Sequence, residues 1–184
     1  MASNREVEIK FKIKNIKSLA ARLKAAGFHL VTRRTHEMNT LYDQPGQALR
    51  RRGALLRIRK YGQKWTVTYK DRSKQGRHKS RREIETPVEH GQALVQILQE
   101  LGFRPIFSYE KYRTEWADDI GHVVIDETPV GNFGEIEGPP RWIDAVAQRL
   151  AISPEQYITA SYAELFAQWK RTSRSKASHM LFGR

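Results

Sequence analysis

Residues 5–13, Arg-Glu-Val-Glu-Ile-Lys-Phe-Lys-Ile, alternate charged and apolar positions. A period of two is the signature of a strand with one charged and one apolar face. The same alternation returns at residues 54–60, 64–70, 79–86, 106–116, 121–127 and 133–137. Lys64 to Lys70 is the clearest of these, because β-branched and aromatic residues dominate it. Leu30–Arg34 and Asn39–Tyr42 read as two further strands flanking a turn. Between these stretches the period changes to that of a helix. Ile16, Leu19, Leu23 and Ala26 share one face before a stop at Gly27. Leu94, Ile97, Leu98 and Leu101 do so before Gly102, and Ile143, Val146, Ala147 and Leu150 follow the same spacing. A last helix is predicted over 161–170 through Tyr162, Leu165, Phe166 and Trp169. Asp71 to His78 reads as a charged hairpin loop, and residues 171–184 as a flexible C-terminal tail.

The charged faces carry the information. Glu6, Glu8, Lys10 and Lys12 share one face of their strand, as do Arg57 and Arg59, Lys64 and Lys70, and Lys79, Arg81, Glu83 and Glu85. Lys111, Arg113 and Glu115 share a fifth face, and Glu135 and Glu137 a sixth. One such strand is ordinary in an antiparallel sheet with a wet side. Six of them are also what a closed barrel with a charged lumen requires, its apolar outside covered by helices. A weak internal repeat adds to this picture. Glu6-Val7-Glu8, a helix and Gly27-Phe28 resemble Glu83-Ile84-Glu85, a helix and Gly102-Phe103. No Gly/Pro/Ser-rich linker separates the halves, so residues 1–170 read as one domain built from two similar halves.

Composition narrows the setting. The 184 residues include 33 Lys and Arg against 20 Asp and Glu, a net charge of +13, which favours an anionic partner. No cysteine is present, which removes disulfides and thiolate chemistry and fits a cytoplasmic location. No apolar run is long enough to span a bilayer, and no membrane association is expected. There is no Gly-Lys pair, hence no P-loop, and no G-x-S-x-G nucleophile motif. The six histidines lack metal-ligand spacing, and the four tryptophans read as packing residues. The basic runs at 50–52, 72–82 and 171–176 read as solvated loops, and without an RNP-type aromatic motif nucleic acid is not the favoured partner.

Paired carboxylates such as Glu6/Glu8 and Glu135/Glu137 repel each other unless a cation neutralises them, and hard oxygen donors suit Mg²⁺ or Mn²⁺. Clustered Arg and Lys suit phosphate oxygens. Together they describe a site for a metal–polyphosphate complex.

Glu6-Val7-Glu8-Ile9-Lys10 resembles the ExExK motif of the CYTH family, the triphosphate tunnel metalloenzymes. Asn39-Thr40-Leu41-Tyr42-Asp43, Leu56-Arg57-Ile58-Arg59, Thr68-Tyr69-Lys70, Arg82-Glu83-Ile84-Glu85, Glu110-Lys111-Tyr112-Arg113, Ile125-Asp126-Glu127 and Gly131 to Gly138 follow in the family's order. The resemblance covers roughly residues 5–170. It implies an α+β fold, an eight-stranded antiparallel β tunnel with a charged lumen and helices packed outside. It also implies a triphosphate held in the lumen with Mg²⁺ or Mn²⁺. By position, the implied metal ligands are Glu6, Glu8, Asp126, Glu135 and Glu137. Phosphates would be cradled by Lys10, Arg57, Arg59, Lys70, Arg81, Lys111 and Arg113, with Arg82 competing with Arg81 by parity. Glu83, Glu85 and Lys10 are the implied catalytic residues, the two carboxylates coordinating metal or orienting a water. The expected activity is metal-dependent hydrolysis of inorganic triphosphate, thiamine triphosphate or a nucleoside triphosphate. Adenylyl cyclase chemistry is the alternative, and non-catalytic RNA binding a third. Oligomeric state stays open, with a homodimer as one arrangement.

Overall fold

The computed structural model describes residues 5–74 and 76–183. Eight strands form the frame: β1 (Arg5–Lys12), β2 (His29–Asp43), β3 (Leu55–Tyr61), β4 (Lys64–Lys70), β5 (Lys79–Val88), β6 (Arg104–Ala117), β7 (His122–Thr128) and β8 (Gly131–Glu137). They close into one antiparallel barrel in the order β1-β5-β4-β3-β2-β6-β7-β8. Five helices surround it: α1 (Ile16–Ala25), α2 (Ala48–Arg51), α3 (Gly91–Glu100), α4 (Pro140–Arg149) and α5 (Tyr162–Ser173). The α+β tunnel implied by the family resemblance, and compatible with the charged strand faces, is therefore the fold. None of the helices among the described residues is long and apolar enough to cross a membrane.

The hydrophobic core lies outside the barrel wall. Ile9 and Phe11 of β1, Val123 and Ile125 of β7, and Ile136 of β8 point outward against Leu19 and Leu23 of α1 and Ile143, Val146 and Leu150 of α4. Each such aliphatic burial contributes about 1.5–3 kcal/mol. Gly134 makes one contact feasible: a Cβ there would lie 2.1 Å from Cζ of Phe11, so only glycine lets that ring lie across β8. A second cluster packs Leu94, Val95 and Leu98 of α3 over Leu56 and Ile58 of β3 and Trp65 and Val67 of β4. With apolar residues committed outward, period two sends the alternate, charged residues into the lumen.

Two elements differ from the sequence reading. His29–Asp43 is one strand rather than two flanking a turn, paired with β6 almost throughout and bulged at Leu30/Thr32, Thr32/Thr35 and Leu41/Tyr42. Its middle, Arg33-Arg34-Thr35-His36-Glu37, carries no apolar alternation because both of its faces are polar, Arg34 and His36 being exposed and Glu37 buried. The C-terminal segment returns to the barrel at Met180. Helix α5 runs to Ser173, Arg174 ends it in the left-handed region (φ 54), and Met180 is 1 % exposed against β6. The short helix α2 also escaped the sequence reading. The Asp43 carboxylate accepts from the backbone N–H groups of Leu49 (3.0 Å) and Arg50 (3.0 Å) in that helix.

Candidate active site

The lumen is a cavity of about 1050 Å³. Glu6, Glu8, Lys10, Arg57, Arg59, Lys70, Arg81, Glu83, Glu85, Lys111, Arg113, Glu135 and Glu137 all line it. Asp126, the remaining residue singled out from the sequence, lies fully buried just behind this lining and bonds to it. Strand register explains the convergence. Glu6 and Glu8 stand opposite Arg81 and Lys79 of β5, while Glu8 and Lys10 face Glu137 and Glu135 of β8. Arg81 rather than Arg82 carries the inward parity, and it donates to Glu6 at 2.9 Å.

At the end of the tunnel capped by α5, the charges interlock. Lys10 pairs with Glu135 at 2.5 Å. Arg113 reaches Glu135 (2.5 Å) and Asp126 (2.6 Å), and Lys111 reaches Asp126 (2.9 Å) and Glu37 (3.4 Å). The Tyr162 phenol, from the first turn of α5, donates to Asp126 at 2.6 Å. Its ring lies under both ammonium groups, 4.7 Å from Lys10 Nζ and 4.8 Å from Lys111 Nζ. Burial alone would push Glu135 up, but Lys10, Arg113 and Lys111 outweigh it and hold the carboxyl well below its usual range. Glu37 is held low in the same way by Lys111 and Arg113 against its burial. Lys10 is held above the usual lysine value, burial being outweighed by Glu135 and Glu8.

Across the lumen a second network runs through β3, β4 and β5. Lys70 bridges Glu6 (2.7 Å) and Glu83 (2.6 Å), and Lys79 pairs with Glu8 at 3.0 Å. Glu85 accepts from Arg59 (2.9 Å), Arg57 (3.2 Å) and the Thr68 hydroxyl (2.6 Å). The two carboxylates of β5 then differ. Burial and the Glu6 carboxylate outweigh Lys70 and push Glu83 up, whereas Arg59 and the Thr68 hydroxyl outweigh burial and hold Glu85 down. The Nε–H groups of Arg57 and Arg59 are buried with no acceptor among the described residues. Buried donors left without an acceptor carry a desolvation cost, which an incoming oxygen acceptor would relieve.

Glu137, at the opposite mouth, is the exception to this pairing. Its backbone pairs with β1 and β7, but its carboxylate makes no hydrogen bond or ion pair among the described residues. Crowding by the mouth walls, then the carboxylates of Glu6 and Glu8, push it up to about 7. Its side chain still meets solvent in the mouth, which softens that shift by screening. No three carboxylate or imidazole groups among the described residues converge closely enough to hold an ion as the side chains stand. Glu6, Glu8 and Glu135 are each turned onto a lysine or arginine. The donor chemistry nevertheless fits a hard cation: an unpartnered carboxylate beside two others, in register across β1 and β8.

The cavity's charge is close to balanced. Ten basic groups (Lys10, Arg50, Arg57, Arg59, Lys70, Arg72, Lys79, Arg81, Lys111 and Arg113) meet eleven carboxylates (Glu6, Glu8, Asp43, Glu83, Glu85, Glu115, Glu135, Glu137 and Glu164 in the lining, with Glu37 and Asp126 behind it). The chain's +13 therefore resides outside the lumen, and net charge was a poor pointer to this site. Sequence reasoning also passed over Glu37, Tyr162 and Lys79 as site residues. Lys79 had a signal in its shared parity with Arg81. Glu37 fell in the stretch read as a turn, and Tyr162 sat on the apolar face of a helix.

The fold and the chain have relatives. The family model for the CYTH domain matches residues 4–162. A Methanocaldococcus jannaschii protein, provisionally named an adenylate cyclase, is 29 % identical over 171 residues, covering 87 % of this chain and 97 % of its own. A Vibrio parahaemolyticus structure with the same provisional name superposes with a TM-score of 0.78 at 21 % identity, covering 90 % of this chain and 99 % of that one. A Hippeastrum protein, provisionally named an adenylyl cyclase and described as having a dominant triphosphatase activity, superposes with a TM-score of 0.66 at 19 % identity, covering 89 % of this chain and 95 % of that one. The match over most of the chain and the tunnel of ionised side chains lead to one conclusion: this chain is an enzyme of the CYTH family.

Proposed function

We propose that this enzyme is a metal-dependent triphosphatase that hydrolyses a phosphoanhydride of inorganic triphosphate, thiamine triphosphate or a nucleoside triphosphate. The observation that carries this reading is the pair of buried, acceptor-free Nε–H donors of Arg57 and Arg59 in a lumen also lined by Lys10, Lys70, Lys111 and Arg113. Phosphate oxygens satisfy such donors, and arginine forks match them bidentately. Before substrate enters, each cation is neutralised by a lumen carboxylate. A triphosphate would take over these cations. The carboxylates so released, with Glu137, would be free to hold Mg²⁺ or Mn²⁺. Glu6, Glu8, Glu135 and Glu137 are the residues suited to that role. Asp126 is better read as support for Lys111 and Arg113, since its oxygens are already taken by those two and by Tyr162.

When bound, the metal supplies charge neutralisation and polarisation of the phosphoryl oxygens. The protein's own share is positioning. The arginines and lysines align the phosphate chain. Glu83, pushed up relative to Glu85, has the proton affinity to accept a proton from an attacking water. The P–O bond to the leaving phosphate breaks as the water oxygen bonds to phosphorus, and the leaving oxygen departs toward the basic wall. The lack of cysteine supports a cytoplasmic setting for such an enzyme.

The names of the Methanocaldococcus and Vibrio relatives favour a second reading, cyclisation of ATP to cyclic AMP. The same lumen would then orient a ribose hydroxyl instead of a water. Purified protein incubated with Mg²⁺ or Mn²⁺ and each triphosphate in turn separates the two. Release of phosphate supports the first, cyclic AMP with pyrophosphate supports the second, and turnover of none defeats both.

A further inference from the structure

Strand β6 pairs with β2 along nearly its whole length, but β7 pairs only with its Tyr112–Ala117 half. Residues 104–111 therefore present a bare edge on the β7 side, at the α5 end of the tunnel. An open edge is a row of unmet backbone donors and acceptors. Here the C-terminal segment fills it. Met180 forms a parallel bridge with Tyr109: its N–H donates to the Ser108 carbonyl (3.0 Å), and its carbonyl accepts from Glu110 N–H (2.9 Å). The Ser108 N–H donates to His179 Nδ1 (3.1 Å), and the Phe182 N–H donates to a Glu110 carboxylate oxygen (3.2 Å). The Phe182 ring lies 5.3 Å from that of Tyr112.

This added strand also holds α5. Met180 is 1 % exposed in one cluster with Tyr109, Phe133, Tyr162, Leu165 and Phe166. Tyr162 is the residue that donates to Asp126 and lies under Lys10 and Lys111. Both α5 beyond its first residue and the segment after it lie outside the stretch matched by the family model.

We infer that residues 179–182 are a clasp that completes the tunnel wall along β6 and, through Met180 and α5, positions Tyr162 and the two lysines at the phosphate end of the lumen. Met180 is thus a positioning residue. Only the binding consequence rests on the proposed triphosphatase reading; the wall-completing role does not.

The test compares the full chain with a chain ending at Lys176, and with the milder Met180→Ala and Met180→Leu. Amide exchange followed by NMR reads the wall. Exchange at Ser108 and Glu110 should accelerate by about tenfold or more in the shortened chain and in Met180→Ala. The amides of Ile125 in β7 and Ile136 in β8, strands paired on both sides, should keep their protection and so report an intact barrel. Calorimetry with inorganic triphosphate and steady-state kinetics read the site. Kd and KM should rise about tenfold while kcat stays within about threefold, the pattern of lost uniform binding. Met180→Leu should behave as the full chain. A synthetic peptide of residues 177–184 added in trans should restore both exchange and KM. Unchanged exchange at Ser108 and Glu110 in the shortened chain overturns the clasp. Accelerated exchange with unchanged Kd and KM overturns its positioning role. If the full chain neither binds nor turns over any triphosphate, the proposed function falls, while the exchange measurements still decide whether the clasp exists.

Discussion

The two ends of the tunnel solve the problem of buried charge differently. At the α5 end, Asp126, Glu37 and Glu135 are each bound by Lys10, Lys111 or Arg113, and the Tyr162 phenol takes one more lone pair. At the other mouth, Glu137 faces Glu6 and Glu8 with no cation of its own. The first end is a finished network, which under the proposed function a phosphate chain would enter by exchanging partners. The second has a carboxylate in excess, which is chemistry that calls for an external cation. Polarity along the lumen is thus set by which acids lack a partner rather than by where acids and bases occur.

The largest expected effect breaks the finished end. Asp126→Ala removes the carboxylate shared by Lys111 and Arg113, leaving Lys111 with Glu37 and Arg113 with Glu135 and Glu37 in a buried site, and frees the Tyr162 phenol. Removing one partner of a buried ion pair costs about 3–5 kcal/mol. Urea unfolding should show a loss of that size. A loss below about 1 kcal/mol would mean that this end is wet and its pairs exchange freely with water.

Next comes the anion cradle itself. Among the described residues Arg59 pairs only with Glu85, so Arg59→Met should cost activity far more than stability. The kcat/KM for the preferred triphosphate should fall about 10²-fold, as when one preorganised donor is removed, while the unfolding midpoint hardly moves. Equal activity in the variant would remove Arg59 from the substrate's path.

Much of this contrast was legible in the sequence, and the reasons for the remainder are physical. Parity along β1, β3, β5, β6 and β8 placed Glu6, Arg57, Arg81, Lys111 and Glu137 in one lumen, because an apolar outward face leaves charged residues no other side. That logic fails where both faces are polar, which is why β2 was split and Glu37 missed. It fails again where a contact depends on tertiary placement. Tyr162 looks like any apolar helix position, yet its hydroxyl reaches Asp126 from another element. Met180 stands in a polar, periodless segment, and only the bare edge of β6 gives it a place. The ordinary appearance of Glu137 in an E-x-E pair likewise hid that Glu135 finds cations and Glu137 does not.

A smaller effect sharpens the other mouth. If Glu137 helps to hold the metal, Glu137→Gln removes a charged oxygen donor while keeping the shape. The Mg²⁺ or Mn²⁺ concentration giving half-maximal turnover should then rise about tenfold, with maximal turnover at saturating metal reduced less. Chelation of divalent ions should abolish turnover in both proteins. An unchanged metal requirement in the variant would place the cation away from this mouth.

The smallest effect is the opposite pH dependence of the two ends. Glu37 and Glu135 are held below their ordinary value, so the stability they give is present above about pH 4.5, the usual glutamate value, and is lost as pH falls through their folded pKa. Glu137 runs the other way. Its carboxyl is raised from 4.5 to about 7, so the folded chain holds a proton that the unfolded chain has released, and stability falls as pH rises across that window. Because Glu137 meets solvent, the fall should be less than about 1 kcal/mol. Stability curves of the parent and Glu137→Gln should therefore converge near pH 4.5 and separate toward pH 7, the variant being the more stable. Mg²⁺ or Mn²⁺ should close that gap in the parent by compensating the carboxylate. Followed by carboxyl NMR with Mg²⁺, the Glu137 titration should move from about 7 toward the ordinary range. A titration near 7 that ignores saturating Mg²⁺ would show that the excess carboxylate serves proton exchange at the mouth and that the cation binds elsewhere in the lumen.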